Sequence, residues 1–177
     1  MKGILFSEFI ALVEEKFGLD VCQEMLDLND DEGIYTSVGS YDHRDLVKLI
    51  ITLSQLTKIS IEELQQVYGQ TVFISLYNSM PSLEGQSSST FDFIKSVENY
   101  IHIEVKKLYP NANPPSFNFI SSTESELILD YLSARCLSHV CLGLIKGCAD
   151  HFDEAINITM APVNNDNSHV RFHLVRL

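Results

Sequence analysis

The sequence predicts an α+β fold, in which a helical N-terminal subdomain is followed by a small antiparallel sheet packed with helices. Apolar residues in the first half recur with the period of an amphipathic helix. Apolar and polar side chains alternate around Phe117 and Phe172, which is typical of strands. Between these strands, the segment 135–151 is apolar nearly all round and should be a buried helix. Helices first and strands later favour an α+β arrangement.

The first half is predicted to consist of helices. Their predicted starts are at Ile4, at Asp20, after Asp42 and after Ser60. Ser60 and Glu63 have the spacing of a capping box. Gly18 and Gly69 are expected to end the first and the last of these helices, since glycine often follows a helix C-terminus. The serine-rich segment 82–89 predicts a loop.

The second half mixes helices and strands. A long helix is expected over 94–108, ending before Pro110, and the Pro114-Pro115 pair breaks the chain after it. Strands are predicted around Phe117, from 127 to 131, and from 170 to 177. In the buried helix, Gly143 and Gly147 lie one turn apart and would allow another backbone to approach closely. We expect one domain over 1–177, with 1–80 mainly helical and 90–177 holding the long helix and the sheet.

Composition and charge exclude several classes of protein. The 177 residues are 45% apolar and 20% charged, which is ordinary for a soluble globular domain. No apolar run approaches the ~20 residues of a membrane-spanning helix. The opening segment meets Glu8 too early for a signal peptide, so a cytoplasmic location is expected. A net charge of −12 argues against nucleic-acid and anionic membrane partners, and solubility explains it most simply.

The cysteines do not form a recognisable metal or redox motif. Cys22, Cys136, Cys141 and Cys148 include no Cys-x-x-Cys pair. Without an export signal, four reduced thiols are favoured over two disulfides.

His102 is the first candidate for chemistry. It lies on the long helix, about 100° from the centre of the apolar stripe, on the flank that carries Phe91 and Tyr109. A lone histidine at such an edge is usually a hydrogen-bonded structural residue. A neutral imidazole on a rigid helix is also a common way to hold heme iron.

Tyr131, Ser133 and Arg135 form a second candidate. At alternate positions of an extended segment, their side chains would leave the same face. Two hydroxyl donors beside a guanidinium are suited to binding carboxylates. Taken alone, the triplet is better explained as an exposed polar strand edge.

These candidates together resemble the signature of the heme–nitric oxide/oxygen binding (H-NOX) family. The matching stretches are His102-Ile-Glu-Val-Lys-Lys-Leu-Tyr-Pro110, Pro115, and Tyr131-Leu-Ser-Ala-Arg135. The segments 1–4, 35–41 and 142–147 are also similar to family sequences, in the same order and with similar spacing. The resemblance therefore covers essentially the whole chain, with the heme expected between the helical and sheet parts.

The resemblance implies a role for each residue of the motif. His102 would be the proximal ligand of the iron of heme b. Tyr131, Ser133 and Arg135 would bind the two heme propionates. Pro115 would press on the porphyrin and help to distort it.

The resemblance also implies a distal pocket and a choice of gas. Family members that hold oxygen stably place a tyrosine where this chain has Val140. Leu137, Val140, Cys141, Leu144 and Cys148 are predicted to share one apolar helix face, with Leu5 and Phe9 opposite. A pocket without a donor favours nitric oxide over oxygen, although an oxygen-binding heme protein is the alternative. Val140 and Leu144 are also compatible with a plain core.

One departure from bacterial relatives concerns zinc. Their structural site uses cysteines and a histidine, whereas this chain has Ser138 at the helix cysteine position and no cysteine after Cys148. His169 and His173 fall on a predicted strand, which would hold them about 13 Å apart. No zinc is therefore expected.

Other classes of function have less support. The chain has no nucleophile elbow, P-loop, dinucleotide fingerprint or His-Glu-x-x-His helix, so an enzyme is not expected. A cofactor-free acidic interaction module would explain the charge but not the motifs at His102 and Arg135. The resemblance implies nitric oxide and carbon monoxide as ligands. It also implies a separate histidine kinase or cyclic-di-GMP enzyme as the protein partner.

Overall fold

A computed structural model describes residues 1–80, 85–108 and 112–177 of the chain. The N-terminal helices are α1 (Gly3–Phe17), α2 (Leu19–Asp27), α3 (His43–Thr57) and α4 (Ile61–Asn78). A second helical stretch contains α5 (Thr90–Ser96), a π-helical segment (Val97–Ile101) and α6 (His102–Leu108). The last part contains β1 (Ser116–Ser122), β2 (Glu126–Leu132), α7 (Ser138–His151), β3 (Ile156–Pro162) and β4 (His169–Arg176). Tyr109, Pro110 and the first part of the predicted loop at 82–89 lie outside the described residues.

The predicted starts of α3 and α4 are confirmed by their caps. The Asp42 side chain accepts a hydrogen bond from the Arg44 backbone N–H at 3.0 Å. Ser60 Oγ accepts one from the Glu63 N–H at 3.2 Å. These side chains satisfy amide groups that have no partner inside the helix. Gly18 ends α1 with a φ of 86°, a backbone conformation that glycine adopts without strain.

The prediction that Gly69 ends its helix is wrong, because α4 continues to Asn78. A Cβ atom built on Gly69 would lie 2.2 Å from the Val140 carbonyl oxygen of α7. The contact is also seen from α7, where a Cβ atom built on Gly143 would lie 2.1 Å from the Gln66 backbone carbonyl oxygen of α4. A Cβ atom built on Gly147 would lie 2.6 Å from the Gln70 backbone carbonyl oxygen. The backbones of α4 and α7 therefore touch, which confirms the close approach predicted for Gly143 and Gly147.

Two further helix predictions need correction. Helix α7 begins at Ser138 rather than Arg135, because Cys136 adopts a positive φ of 53° that a helix cannot include. The long helix predicted over 94–108 begins at Thr90 and is interrupted by the π-helical segment at 97–101. A π-helical turn holds more residues than an α-helical turn, so it changes the face on which later residues lie.

The sheet has four antiparallel strands in the order β1-β2-β4-β3. The predicted strands correspond to β1, β2 and β4, whereas β3 was not predicted. The alternation of Ile156, Ile158 and Met160 is the signal that could have identified β3. The α+β class is confirmed, with α7 crossing between the sheet and the N-terminal helices.

Three apolar clusters meet around α7. The first joins α1–α4 and includes Phe6, Leu49 and Tyr68. The second lies between the sheet and α7 and includes Phe172. The third links α4, α5 and the start of α6 through Phe73. No helix in the described part of the chain has an apolar stretch long enough to cross a membrane.

We expect Gly143→Ala to destabilise the protein by about 1–3 kcal/mol, as overpacking of a close contact usually does. On an exposed helix the same substitution would stabilise by about 0.5–1 kcal/mol, so the sign of the effect is informative. Urea unfolding monitored by circular dichroism measures it. A variant as stable as the parent, or more stable, would show that α4 and α7 are not in backbone contact.

Candidate functional site

His102, the first residue of α6, is held by a carboxylate one turn earlier. Its Nδ1 lies 3.0 Å from Glu98 Oε2, and the side chains of His102 and Glu98 are 13% and 28% exposed. Burial lowers the pKa of His102, while Glu98 opposes this effect, so the ring is neutral near pH 7. A carboxylate oxygen can only accept, so the proton is on Nδ1 and the lone pair is on Nε2. No hydrogen bond from a described residue reaches Nε2.

The neighbours of His102 differ from those predicted by a regular helix. Phe91, expected on the same flank, belongs to the cluster between the sheet and α7 and lies under the Arg176 guanidinium. The ring in contact with His102 is Phe117, with a centroid distance of 5.7 Å. The π-helical segment between Phe91 and His102 changes the helical phase, which accounts for the difference.

Tyr131, Ser133 and Arg135 come together, although not on one strand as predicted. Strand β2 ends at Leu132, and Ser133 accepts a hydrogen bond from the Arg135 backbone N–H at 3.2 Å. Burial raises the pKa of Tyr131 to about 12, although Ser133, Arg135 and the Leu137 backbone act in the opposite direction. The turn after β2 therefore replaces the extended segment and still places both hydroxyls near the guanidinium.

Arg135 differs from Arg171 and Arg176 in its surroundings. Arg171 binds Asp130 through two hydrogen bonds of 2.7 and 2.9 Å, and Arg176 pairs with Glu154 at 3.2 Å. Within the described ranges, no carboxylate pairs with the Arg135 guanidinium. Instead, its charge helps to lower the pKa of the Met1 amino group and of His43, after burial in both cases. A guanidinium that pairs with none of the described carboxylates suits an anionic ligand.

Pro115 is half-buried and directly precedes β1, two residues before Phe117. Its neighbours Pro114 and Ser116 line a cleft of about 350 Å³. Ser133 and Arg135 line the same cleft. The segment that carries Pro115 thus lies beside the Ser133 and Arg135 turn.

Leu5, Phe9, Val140 and Leu144 all belong to the apolar cluster of the N-terminal helices. Phe9 is buried, whereas Leu5, Val140 and Leu144 are only half-buried despite having buried neighbours along the chain. On α7, Val140 and Leu144 lie between the glycines that touch α4 and the side that packs on the sheet. These three apolar side chains are therefore partly accessible at the edge of the cluster.

The helix face predicted to contain Cys141 and Cys148 with Val140 is divided in the structure. Cys141 packs in the sheet cluster and Cys148 in the cluster around Phe73. Burial raises the pKa of Cys141 to about 12, and burial also raises that of Cys148. These thiols are structural residues that flank the strip of Val140 and Leu144.

Two residues near the site were not identified from the sequence. Tyr68 is 1% exposed, packs edge-on against Phe9, and donates a hydrogen bond of 2.7 Å to the Leu5 carbonyl oxygen. Glu98 could have been found from its spacing, because residues four apart on a helix face each other. Tyr68 has no comparable signal, since its partner is 63 positions away.

No group of three potential metal ligands occurs in the described part of the chain. His169 and His173 lie on β4, in accordance with the predicted strand, and each faces a carboxylate of β2. Their Nε2 atoms lie 2.9 Å from Asp130 and 2.8 Å from Glu126.

Comparison with known proteins agrees with this geometry. A family model described as Haem-NO-binding matches residues 2–160. A crystal structure of an Fe(II) unliganded H-NOX protein from K. algicida has 34% identity and a TM-score of 0.93, covering 100% of this chain and 97% of that one. A search of curated proteins gives no match.

Two Shewanella structures are also similar. The IWP-051-bound H-NOX from Shewanella woodyi, in the Fe(II)CO ligation state, has 33% identity and a TM-score of 0.85 over 100% of this chain and 95% of that one. An H-NOX protein from S. oneidensis in the Fe(II)NO ligation state shares the fold at 24% identity. Its TM-score is 0.89, and the match covers 100% of this chain and 99% of that one.

The chain belongs to the Haem-NO-binding family, that of the H-NOX heme-based gas sensors. The residues present fit a heme in three ways. Among the described residues, none forms a hydrogen bond to Nε2 of the neutral His102 ring and none supplies a carboxylate to the Arg135 guanidinium, and half-buried apolar side chains lie on α1 and α7.

Proposed function

We propose that the chain is a nitric oxide sensor that holds heme b through His102 and regulates a separate signalling protein. The observation that carries the proposal is the hydrogen bond from His102 Nδ1 to Glu98. In a neutral ring, this bond leaves the lone pair of Nε2 available to bind a metal. This is the usual arrangement of a histidine ligand and its supporting acceptor. Residues 1–177 would act as a single domain, with no catalytic step and no zinc site assigned to them.

Tyr131, Ser133 and Arg135 would hold the propionates of the heme. The support for these roles is the turn after β2, which brings the two hydroxyls and the guanidinium together. Carboxylates of a ligand would neutralise a positive region that the described acidic residues leave uncompensated. Pro115, beside this turn, would contact the edge or face of the porphyrin.

Leu5, Phe9, Val140 and Leu144 would form the distal wall, opposite His102. A ferrous heme supplies an iron atom that binds diatomic gases, as in the related H-NOX proteins solved in the Fe(II)CO and Fe(II)NO ligation states. The four side chains are apolar and offer no hydrogen bond to a bound gas. Bound oxygen is strongly dipolar and gains more from a donor than nitric oxide does, so this wall favours nitric oxide.

The alternative of an oxygen-binding protein would require a donor at the distal wall. Tyr68 is the tyrosine in contact with that wall, through Phe9. Its hydroxyl proton is already donated to the Leu5 carbonyl oxygen, and the side chain is fully buried in the cluster of the N-terminal helices. Moving it toward a gas would break that hydrogen bond, at a cost of about 0.5–1.5 kcal/mol.

The proposed signal starts from the strength of the bond between His102 and the iron. If a bound gas weakened that bond, His102 and α6 would be free to relax, and the sheet could shift relative to the N-terminal helices. A separate histidine kinase or cyclic-di-GMP enzyme would distinguish the two states. A difference of about 1–3 kcal/mol between their affinities for the ligand is sufficient for allosteric control.

We expect His102→Gly to remain folded but to lose heme unless free imidazole is supplied, because no other protein bond to the iron is proposed. The absorption spectrum of the reduced protein, with and without imidazole, measures this. If the variant retained heme with an unchanged spectrum in the absence of imidazole, another residue would be the ligand.

Arg135→Ala should weaken heme binding by roughly 10- to 100-fold, corresponding to about 1.5–3 kcal/mol for a charge-assisted hydrogen bond. Lys146→Ala is the control, because it removes a half-buried positive charge from α7 without touching the turn after β2. The rate of heme transfer to apomyoglobin compares the two variants. Equal rates would reduce Tyr131, Ser133 and Arg135 to a polar turn.

The reduced protein should form no lasting complex with oxygen in air, because Val140 donates no hydrogen bond. Val140→Tyr should slow oxygen dissociation by placing a hydroxyl on the distal wall, while Val140→Phe adds the same ring without the hydroxyl. Stopped-flow absorbance measures the dissociation rates. A stable oxygen complex in the parent protein would contradict the preference for nitric oxide.

The sensor role is tested directly by mixing the chain with candidate kinases and cyclic-di-GMP enzymes encoded near it. We expect the partner's activity to differ between the unliganded ferrous form and the nitric oxide form at saturating protein. His102→Gly reconstituted with heme and imidazole is the control, since its iron bond is not attached to α6. Equal activity with both forms would leave a heme-binding domain without the proposed regulation.

A further inference from the structure

A single carboxylate oxygen connects the helix of His102 to the sheet. Glu98 Oε2 lies 3.0 Å from His102 Nδ1 and also accepts a hydrogen bond of 3.0 Å from the Phe117 backbone N–H. Glu98 is in the π-helical segment and Phe117 is the second residue of β1. The two bonds therefore join segments that are separated by 19 positions in the sequence.

The bond to His102 controls the properties of its ring. A carboxylate that accepts from Nδ1 fixes the tautomer and the ring orientation, and it raises the basicity of Nε2. Glu98 thus determines how strongly His102 can donate electrons to a metal.

The hydrogen bond to Phe117 connects Glu98 to Tyr131, one of the residues proposed to hold the propionates. Phe117 is paired with Tyr131 in the register of β1 and β2, and its ring lies 6.2 Å from the Tyr131 ring and 5.7 Å from the His102 ring. Strand β1 is an edge strand with β2 as its partner. An edge strand held on one side only is free to follow a movement of Glu98.

We propose that Glu98 is a positioning residue of the heme site, which sets the donor strength of His102 and transmits the state of His102 to β1. This inference rests on the proposed function, because it takes His102 as the ligand. When His102 is bound to the metal, the Nδ1–H bond holds Glu98 and, through it, the N–H of Phe117. When His102 is released and turns, Glu98 loses one of its two donors and the start of β1 becomes less constrained.

The key variant is Glu98→Gln, because the amide oxygen can still accept from Phe117 while the negative charge near Nδ1 is removed. Glu104→Gln is the matched control, since Glu104 lies on the same helical stretch and pairs only with Lys107 at 2.7 Å. Glu98→Asp keeps the charge on a shorter side chain and should restore part of the parent behaviour. If Glu98→Gln failed to fold, the comparison of Glu98→Asp with Glu104→Gln would decide the question.

The first measurement is the iron–histidine stretching band in the resonance Raman spectrum of the reduced, unliganded holoprotein. Glu98→Gln should move this band to lower frequency, and heme should leave about tenfold faster or more, as is usual when a ligand loses its supporting acceptor. Glu98→Asp should fall between the parent and Glu98→Gln, and Glu104→Gln should match the parent. A residue with a merely structural role would change stability without moving this band.

The second measurement is hydrogen exchange of the peptide containing Phe117, with and without nitric oxide. In the parent and in Glu104→Gln, nitric oxide should increase exchange at the start of β1, whereas Glu98→Gln should show a much smaller difference. An unchanged stretching band together with an unchanged response of this peptide in Glu98→Gln would overturn the inference. The proposed ligand role of His102 fails separately, through retention of heme by His102→Gly.

Discussion

The fold depends on the backbone contact between α4 and α7. Gly69, Gly143 and Gly147 remove the side-chain layer that normally separates two helices, so a Cβ atom at any of them would collide with the other backbone. Helix α7 also packs on the sheet through Cys141, Leu142 and Ile145. One helix therefore fixes the position of the sheet relative to the N-terminal helices. The positions of Val140 and Leu144 beside Leu5 follow from where that helix is held.

Arg135 in the candidate site differs from arginines elsewhere in the protein in its charged partners. The chain carries 24 acidic and 12 basic residues, so partners for a cation are plentiful. Arg171 pairs with Asp130, and its guanidinium lowers the pKa of Asp130 to about 2. Arg135 has no such partner among the described residues, and the Met1 amino group and His43 lie within its field. Leaving positive charge unpaired in an acidic protein is costly, and an anionic ligand gives it a function.

Local sequence patterns predicted most helices and strands. They failed where contacts between residues distant in sequence determine the structure. The caps at Asp42 and Ser60 depend on neighbours three residues away or fewer, and both were predictable. Gly69 looked like a helix end because the contact that requires it lies on α7. The π-helical segment gives no periodic signal in the sequence, so the neighbours of His102 could not be derived from a helical wheel. In the site, the motif residues were predicted from resemblance, whereas Glu98 and Tyr68 emerged from their contacts.

The same contacts indicate which part of the protein is able to move. Helices α4 and α7 are joined through their backbones, so they form the rigid part of the site and hold the proposed distal wall. Helix α6 packs on the cluster around Phe73 through Val105, and its described link to the sheet runs through Glu98 and the ring of Phe117. Elements with few packed neighbours open at lower free energy than elements in the core. A change in the bonding of His102 should therefore displace α6 and the start of β1 first, while the wall formed by Val140 and Leu144 stays in place.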